Sequence, residues 1–322
     1  MIPQLLQEKI NKSYDILRLA SDMSKTYYQK PLVITYSGGK DSDAMLQLAV
    51  ECLEPSDFEV INSHTTVDAP ETVYYIRKRF KELREMGVKT TIQYPRDKDG
   101  NFVSMWSMIE KIGLPPTRIQ RYCCTQLKEV SVKNRFVALG VRADESGGRK
   151  GREVFGTQGA TKKDAKFFHF DKVKESFTEA EREREREGLQ ANEHSVWDCK
   201  IIESAKNNDK LICNPIYDWT HSDVWELIRD RGIEYNPLYD MGFHRVGCIG
   251  CPLNTKRKFD FAKYPAYAEN YKKAFDRMIK RRQEKGLPCK WENGEEVFKW
   301  WIQDDTIEGQ MTLDDFLEDN ET

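Results

Sequence analysis

The sequence predicts an α/β protein with a mostly parallel sheet covered by helices on both faces. Three observations lead there. Short apolar runs of strand composition alternate with stretches whose apolar residues recur at helical spacing. A glycine-containing hexapeptide, Ser37-Gly38-Gly39-Lys40-Asp41-Ser42, stands where the first such run gives way to the first helical pattern. A chain of 322 residues, 39% hydrophobic and 32% charged, has enough apolar sequence for one large domain or two modest ones.

The elements follow in order. Residues 1–30 read as an N-terminal helix. Pro31 to Tyr36 is a buried-type strand, and Ala44, Met45, Leu48 and Ala49 mark the helix after the hexapeptide. Phe58 to Asn62 is a second strand, and Pro70 to Met86 a helix with proline in its first turn. Val88 to Tyr94 is a third strand, Thr125 to Asn134 a helical stretch, and Arg135 to Val141 a fourth strand. This alternation implies right-handed crossovers. Residues 147–209 break the rhythm: they contain Glu181 to Glu187, an alternating Glu/Arg run without an apolar stripe, read as an exposed inserted helix or mobile arm. The core resumes at Leu211 to Pro215, and Thr220-His221-Ser222-Asp223 caps a helix through Val224, Trp225, Leu227 and Ile228. Tyr264 to Glu284 reads as a long basic helix. The expected organisation is therefore a core domain of 31–146 and 210–255, a charged arm at 147–209, and a helical C-terminal region at 256–322.

Lys and Arg number 51 against 53 Asp and Glu, net −2, which argues against a wholly basic nucleic-acid binder. The balance hides an asymmetry. Residues 252–290 carry 12 basic and 4 acidic residues, and residues 291–322 carry 1 basic and 11 acidic. A basic segment of this kind either faces a polyanion or forms one side of two solvated helical faces. No apolar run approaches the ~18 residues of a membrane helix, and MIPQLLQEKI lacks an export signal's pattern, so a cytoplasmic protein is expected. Eight cysteines then read as thiols, metal ligands or cluster ligands, not as a disulfide framework.

Between a strand and a helix, the backbone N–H groups of Ser37 to Ser42 and the helix dipole favour a phosphate. Gly38 and Gly39 permit positive φ and a close approach of the ligand, Lys40 adds a cation, and Ser37 and Ser42 add hydroxyls. It is not a Walker A loop, because Ile34 stands five before Gly39 and Asp41 follows the lysine. The hexapeptide resembles the pyrophosphate loop of the adenine-nucleotide alpha-hydrolase (PP-loop ATP pyrophosphatase) superfamily. Thr66 to Thr72, Gly140 to Arg149 and the stretches Asn214 to Thr220 and Tyr235 to Asp240 are similar to segments of its phosphoadenosine phosphosulfate (PAPS) reductase family. The resemblance covers roughly residues 30–145 and 210–252. It implies a Rossmann-like three-layer α/β/α sandwich and an adenine nucleotide, ATP or a sulfonucleotide, with chemistry at or beside the α-phosphate. On the residues themselves, Arg142 and Arg149 suit bidentate contact with phosphate or sulfate, with surface ion pairing to Asp144 and Glu145 as the alternative. Ser146 belongs to the same nucleotide segment. Asp68 either orients a ribose hydroxyl or Mg²⁺, or caps the Pro70 helix.

Cys123-Cys124 and Cys248-Ile249-Gly250-Cys251 present four thiols at spacings suited to Zn²⁺ or a 4Fe–4S cluster, with redox or buried thiols as the alternative. The pattern resembles the cluster-ligand set of adenosine phosphosulfate reductases, which implies 4Fe–4S; Cys213 and Cys199 are possible substitutes for one ligand. Cys52 reads as a core thiol. The Glu-Cys-Gly-Leu-His tail of the reductases is absent. Cys289 is the one cysteine after the C-x-x-C, a displaced nucleophile or a packing thiol. His64, His221 and His244 have structural roles by default.

Three functions follow as expectations. The first is an ATP-using enzyme with a 4Fe–4S cluster, similar to DNA-phosphorothioation sulfur-transfer proteins. Lys40, Arg142 and Arg149 would be its catalytic cations, with Mg²⁺, a polyanion such as DNA against residues 252–290, and a protein partner in a modification system. The second is a sulfonucleotide reductase using Cys289 and thioredoxin. The third is a non-catalytic, nucleotide-sensing regulatory subunit.

Overall fold

The computed structural model describes residues 2–129, 132, 134–145, 149, 152–158, 166–188 and 210–303. Its contacts divide the chain into two compact units that do not follow chain order. The first comprises Met1–His64, Asp68–Tyr94 and Leu127–Gly247, and the second Thr65–Val67, Pro95–Gln126 and Cys248–Thr322.

The first unit holds one seven-stranded sheet: β1 Leu32–Thr35, β2 Phe58–Ser63, β3 Lys89–Gln93, β4 Arg135–Ala138, β5 Phe155–Gln158, β6 Phe167–Phe168 and β7 Lys210–Cys213. The order is β3-β2-β1-β4-β7-β5-β6. The five strands from β3 to β7 run parallel, and β5 and β6 are added antiparallel at one edge. Helices α1 Gln4–Met23, α2 Lys40–Cys52 and α3 Pro70–Glu85 precede α4 Met105–Ile112 and the short α5 Tyr122–Cys124 of the second unit. The first unit continues with α6 Phe170–Glu187 and α7 His221–Asp230. The expected α/β sandwich with a mostly parallel sheet is the fold observed.

Local chemistry explains most boundaries. β1 and β2 are nearly continuous apolar runs because both of their faces are covered; Val33, Ile34 and Val60 are fully buried. The one charge inside β2, Glu59, is paired with Arg135 and Lys89. Pro70 occupies the first turn of α3, and Thr220 with Asp223 forms a reciprocal capping box at α7. Two features depart from expectation. Within 147–209, β5 and β6 join the sheet; Gly156 is a paired member of β5, where a Cβ would lie 2.8 Å from the Lys166 carbonyl oxygen, and it breaks the apolar pattern. The Glu/Arg run ends a helix that starts at Phe170, and that helix buries Val173 and Ala180 and sets Phe177 edge-on to Tyr27.

The second unit packs α4 against α9 Pro265–Glu284, with α8 Arg257–Lys263 and α10 Gly294–Ile302 beside it. Its centre is aromatic: Phe261, Tyr271, Phe275, Phe298 and Trp301 meet with ring centroids 4.6–6.2 Å apart, geometries favoured by the ring quadrupoles. The long basic helix is thus also a core element, burying Tyr271, Ala274, Phe275, Met278 and Ile279. No helix among the described residues is long and apolar enough to cross a membrane.

Candidate functional site

In an open α/β sheet the ligand crevice opens outside the carboxyl ends of the strands, where strand order reverses. Here β2 and β3 lie to one side of β1, while β4 lies to the other. The segments leaving β1 and β4 therefore flank the switch point. Those segments are Ser37–Gly39, running into α2, and Leu139–Arg142.

Only one glycine of the loop uses left-handed backbone: Gly38 has φ +73°, while Gly39 is extended at −97° and serves as the N-cap of α2. Ser42 Oγ donates to the Gly39 carbonyl at 2.7 Å, and the Ser37 N–H donates to Ser42 Oγ at 3.3 Å, closing the loop on itself. Gly140 brings the second segment in. A Cβ there would stand 3.2 Å from the Asp41 main-chain carbonyl and 3.3 Å from the Ser42 nitrogen, so the close approach needs glycine.

Positive charge gathers at this point. Lys40, 6% exposed, places Nζ 2.7 Å from Asp41 Oδ2, and Arg142, 3% exposed, donates from Nε to Asp41 Oδ1 at 2.6 Å. Arg142 also donates to the Trp219 carbonyl at 3.3 Å and lies 3.4 Å from Asp144. Arg149 is ion-paired to Glu145. The surface pairings open as an alternative in the sequence are thus present, but Arg142 is buried and its short contact is with the loop. Burial and the neighbouring Arg245, Arg152 and Arg142 guanidiniums push Arg149 down to about 10. His221 is held below its usual range by burial and by Lys40 and Arg142. Two cations therefore sit on the loop's one carboxylate, Asp41. A third, Arg149, lies within electrostatic reach of Asp41 and of the Arg142, Arg152 and Arg245 guanidiniums, a local excess of positive charge that favours an anion.

A strap from Glu234 to Asp240 grips the loop's main chain. Asn236 Nδ2 donates to the Gly38 carbonyl and to Thr72 Oγ1, both at 3.0 Å, and the Lys40 N–H donates to the Tyr239 hydroxyl at 3.0 Å. Asp68 stands one residue before Ala69, the N-cap of α3. It faces His64 Nδ1 at 3.4 Å in a small cleft that Asn62, Ile76, Arg77 and Tyr94 also line. Ser146 and Cys199 lie outside the described residues. Sequence reasoning missed Arg245, Arg152 and the roles of Asn236 and Tyr239; the last two stood within the recognised Tyr235–Asp240 stretch.

The four paired cysteines all belong to the second unit. The Cys251 N–H donates to the Cys248 carbonyl at 3.2 Å, and the Ile249 N–H to the Val67 carbonyl at 2.8 Å, folding the C-x-x-C into a turn. Gly250 has φ +71°, and a Cβ there would sit 2.4 Å from Phe261 Cζ. The Cys123 thiol is pushed far up by its hydrogen bond to Cys124, by burial, and by the proximity of Cys124, Cys248 and Cys251. Cys123 thus lies within electrostatic reach of the other three thiols, and four thiolates are the ligand chemistry that a 4Fe–4S cluster takes. Among the described residues no three His, Cys, Asp or Glu side chains are gathered as a ready-made metal site. Arg121 donates to Cys124 Sγ at 3.4 Å, and Cys248 Sγ lies 3.4 Å from the Thr65 hydroxyl. Elsewhere, Cys213 is fully buried on β7 and its thiol is pushed up by that burial. Cys52, on α2, is pushed up to about 12 by burial. Cys289 Sγ is 3.5 Å from the Trp291 carbonyl.

The phosphoadenosine phosphosulfate reductase domain model matches residues 31–254. An uncharacterized protein of Methanocaldococcus jannaschii is 28% identical over 276 residues, 85% of this chain and 54% of its own; the chain spans about half that relative's length. Adenosine 5'-phosphosulfate reductase of Oceanobacillus iheyensis is 49% identical over 46 residues, 14% of this chain and 19% of the reductase. Among solved structures, the phosphate complex of Candida auris PAPS reductase is 15% identical with a TM-score of 0.43, covering 77% of this chain and 96% of its own. The matched span, the switch-point loop and the parallel sheet lead to one conclusion: the chain belongs to the phosphoadenosine phosphosulfate reductase domain family.

Proposed function

We propose that the protein is an ATP-using enzyme acting at the α-phosphate, with a 4Fe–4S cluster on Cys123, Cys124, Cys248 and Cys251, in sulfur transfer to, or modification of, a polyanionic acceptor such as DNA. The single observation that supports the nucleotide reading is that Lys40 and Arg142 both bind Asp41 of the Ser37–Ser42 loop, with Arg149, pushed down to about 10, within electrostatic reach of Asp41, Arg142, Arg152 and Arg245. Such a cluster is relieved when an anion binds, and phosphates supply that charge with oxygens that a guanidinium fork contacts in pairs. Lys40 and Arg142 would exchange Asp41 for phosphate oxygens, Ser37 and Ser42 would offer hydroxyls, and Arg149 and Ser146 would bind the distal groups. Asp68 would hold the ribose or Mg²⁺. Bound there, a 4Fe–4S cluster would supply a site for sulfur ligation or electron transfer. Such thiols call for a reducing compartment, the cytoplasm.

The acceptor surface is assigned to exposed lysines of residues 252–290, among them Lys263, Lys273, Lys280 and Lys285. The assignment is narrower than charge counting implied. Arg277 and Arg281 pair with Glu110, and Arg282 donates to the Gly113 and Pro288 carbonyls.

The deciding experiment compares pyrophosphate release from ATP with sulfite release from PAPS or adenosine phosphosulfate plus thioredoxin, using anaerobically purified protein. Pyrophosphate release without dependence on Cys289 is expected. Sulfite release abolished by Cys289→Ser would replace this reading with the reductase, and nucleotide binding without turnover would replace it with a nucleotide sensor.

A further inference from the structure

Directly beneath the phosphate loop, α2 buries a carboxylic acid that the proposed chemistry does not use. Asp43 is 0% exposed. Its Oδ1 lies 2.5 Å from the Tyr36 hydroxyl and 2.9 Å from the Tyr75 hydroxyl, and its Oδ2 has no hydrogen-bond partner. The Tyr75 hydroxyl is also 2.6 Å from the main-chain carbonyl of Glu234, the first residue of the strap.

The proton count decides the state of this group. A tyrosine hydroxyl has one hydrogen, and a main-chain carbonyl can only accept. The shorter contact, to the Glu234 carbonyl, takes that hydrogen. The Tyr75 oxygen then meets Asp43 as an acceptor, so the hydrogen between them belongs to the carboxyl group. An ionised carboxylate with a bare, fully buried oxygen would also carry a heavy desolvation cost, which the neutral acid avoids.

We infer that Asp43 is a proton-holding positioning residue: its carboxyl proton ties Tyr75 to the Glu234–Asp240 strap, and the strap in turn holds the phosphate loop at Gly38 and Lys40. The charged and titratable groups facing it are Tyr36 from the end of β1, Tyr75 and Arg79 from α3, Asp41 from its own helix, and Tyr239 from the strap. Burial is the largest influence and pushes the acid up to about 7, against the hydrogen bonds that Tyr36 and Tyr75 donate to the ionised form and against Arg79. Once Asp43 ionises, it takes the Tyr75 hydrogen for itself and the Glu234 carbonyl loses its donor. The grip of Asn236 and Tyr239 on the loop then weakens. In consequence the loop is best organised on the acid side of neutrality. The word phosphate here rests on the function proposed above; the proton and the strap do not.

Both halves are tested without nucleotide, so failure of the nucleotide reading cannot be mistaken for failure of this one. The full chain, labelled at aspartate carboxyl carbons, is titrated by NMR from pH 5 to pH 8.5. One aspartate titrating near neutrality is expected, lost in Asp43→Asn. No aspartate titrating above pH 6 would overturn the inference. Hydrogen exchange over the strap, corrected for intrinsic chemistry, should accelerate about tenfold from pH 6 to pH 8.5, the scale of one net hydrogen bond, and should be flat in Asp43→Asn. Should Asp43→Asn fail to fold, Tyr75→Phe serves. It keeps the titrating aspartate but exchanges at pH 6 as fast as wild type does at pH 8.5. Strap exchange indifferent to pH in the wild type would overturn the coupling.

Discussion

Arg142 reaches across 101 positions of sequence to place Nε 2.6 Å from Asp41 Oδ1. Asp41 also holds Lys40, at 2.7 Å. One carboxylate therefore occupies both cations, and the proposed nucleotide would have to displace it. Removing either cation takes away a positioned electrostatic donor, so Lys40→Ala and Arg142→Ala are each expected to lower nucleotide turnover at least ~100-fold. Cys289→Ser is expected to leave it largely intact. Pyrophosphate release measures both.

Nucleotide should stabilise the fold by linkage, by ~2.7 kcal/mol at a hundredfold excess over the dissociation constant. Gly140→Val should abolish the effect, because its side chain would press on the Asp41 and Ser42 backbone from 3.2 Å. Thermal shift with ATP and Mg²⁺, and separately with PAPS, gives the answer. Equal melting with and without every adenine nucleotide would remove the nucleotide site.

Protein isolated without oxygen should contain about four iron and four sulfide per chain, the stoichiometry of a 4Fe–4S centre. Cys248→Ser and Cys123→Ser should each lower iron content. Zinc in place of iron would reassign the four thiols to a structural knuckle.

Asp43 makes stability depend on pH in a definite direction. Its folded value is near 7 against an ordinary 3.8, so between those values the folded state holds a proton that the unfolded state has lost. Its contribution is therefore largest below pH 4, declines as pH rises toward 7, and is constant above. Wild type should lose up to about tenfold in folding constant per pH unit across that window relative to Asp43→Asn. Denaturant titrations of the ligand-free chain at pH 5, 6, 7 and 8 measure the slope, and parallel curves for the two proteins would refute it.

Gly250→Ala should destabilise the second unit by at least about 1–3 kcal/mol, since the added methyl meets Phe261 at 2.4 Å on a backbone at φ +71°. Urea denaturation followed by tryptophan fluorescence reports on it, since Trp106, Trp291, Trp300 and Trp301 belong to the second unit.

The sheet was legible because β1, β2 and β4 are short apolar runs and β3 a β-branched stretch, and because helices carry their own start signals, such as Pro70 and Thr220. β5 and β6 were not legible: Gly156 and a two-residue partner strand leave too little alternation to read. At the site, Ser37–Ser42 announced itself through its glycines and its place between strand and helix. Arg245 did not, because an isolated arginine has no pattern and only folding brings it to Arg149; Arg152, three residues from Arg149, lies just past the recognised segment. Asp43 was hidden for a different reason. A sequence gives the acid but not the two tyrosines, at positions 36 and 75, that meet it in the core.

The second unit is sewn from stretches far apart in the chain, and this sets a schedule for biosynthesis. Cys123 leaves the ribosome 125 residues ahead of Cys248, so at about 5–20 residues per second the vicinal thiols wait roughly 6–25 s for the rest of their unit to begin. During that interval they have no completed core around them and are open to oxidation. Oxygen present while the chain is being made should thus do more damage than oxygen met afterwards.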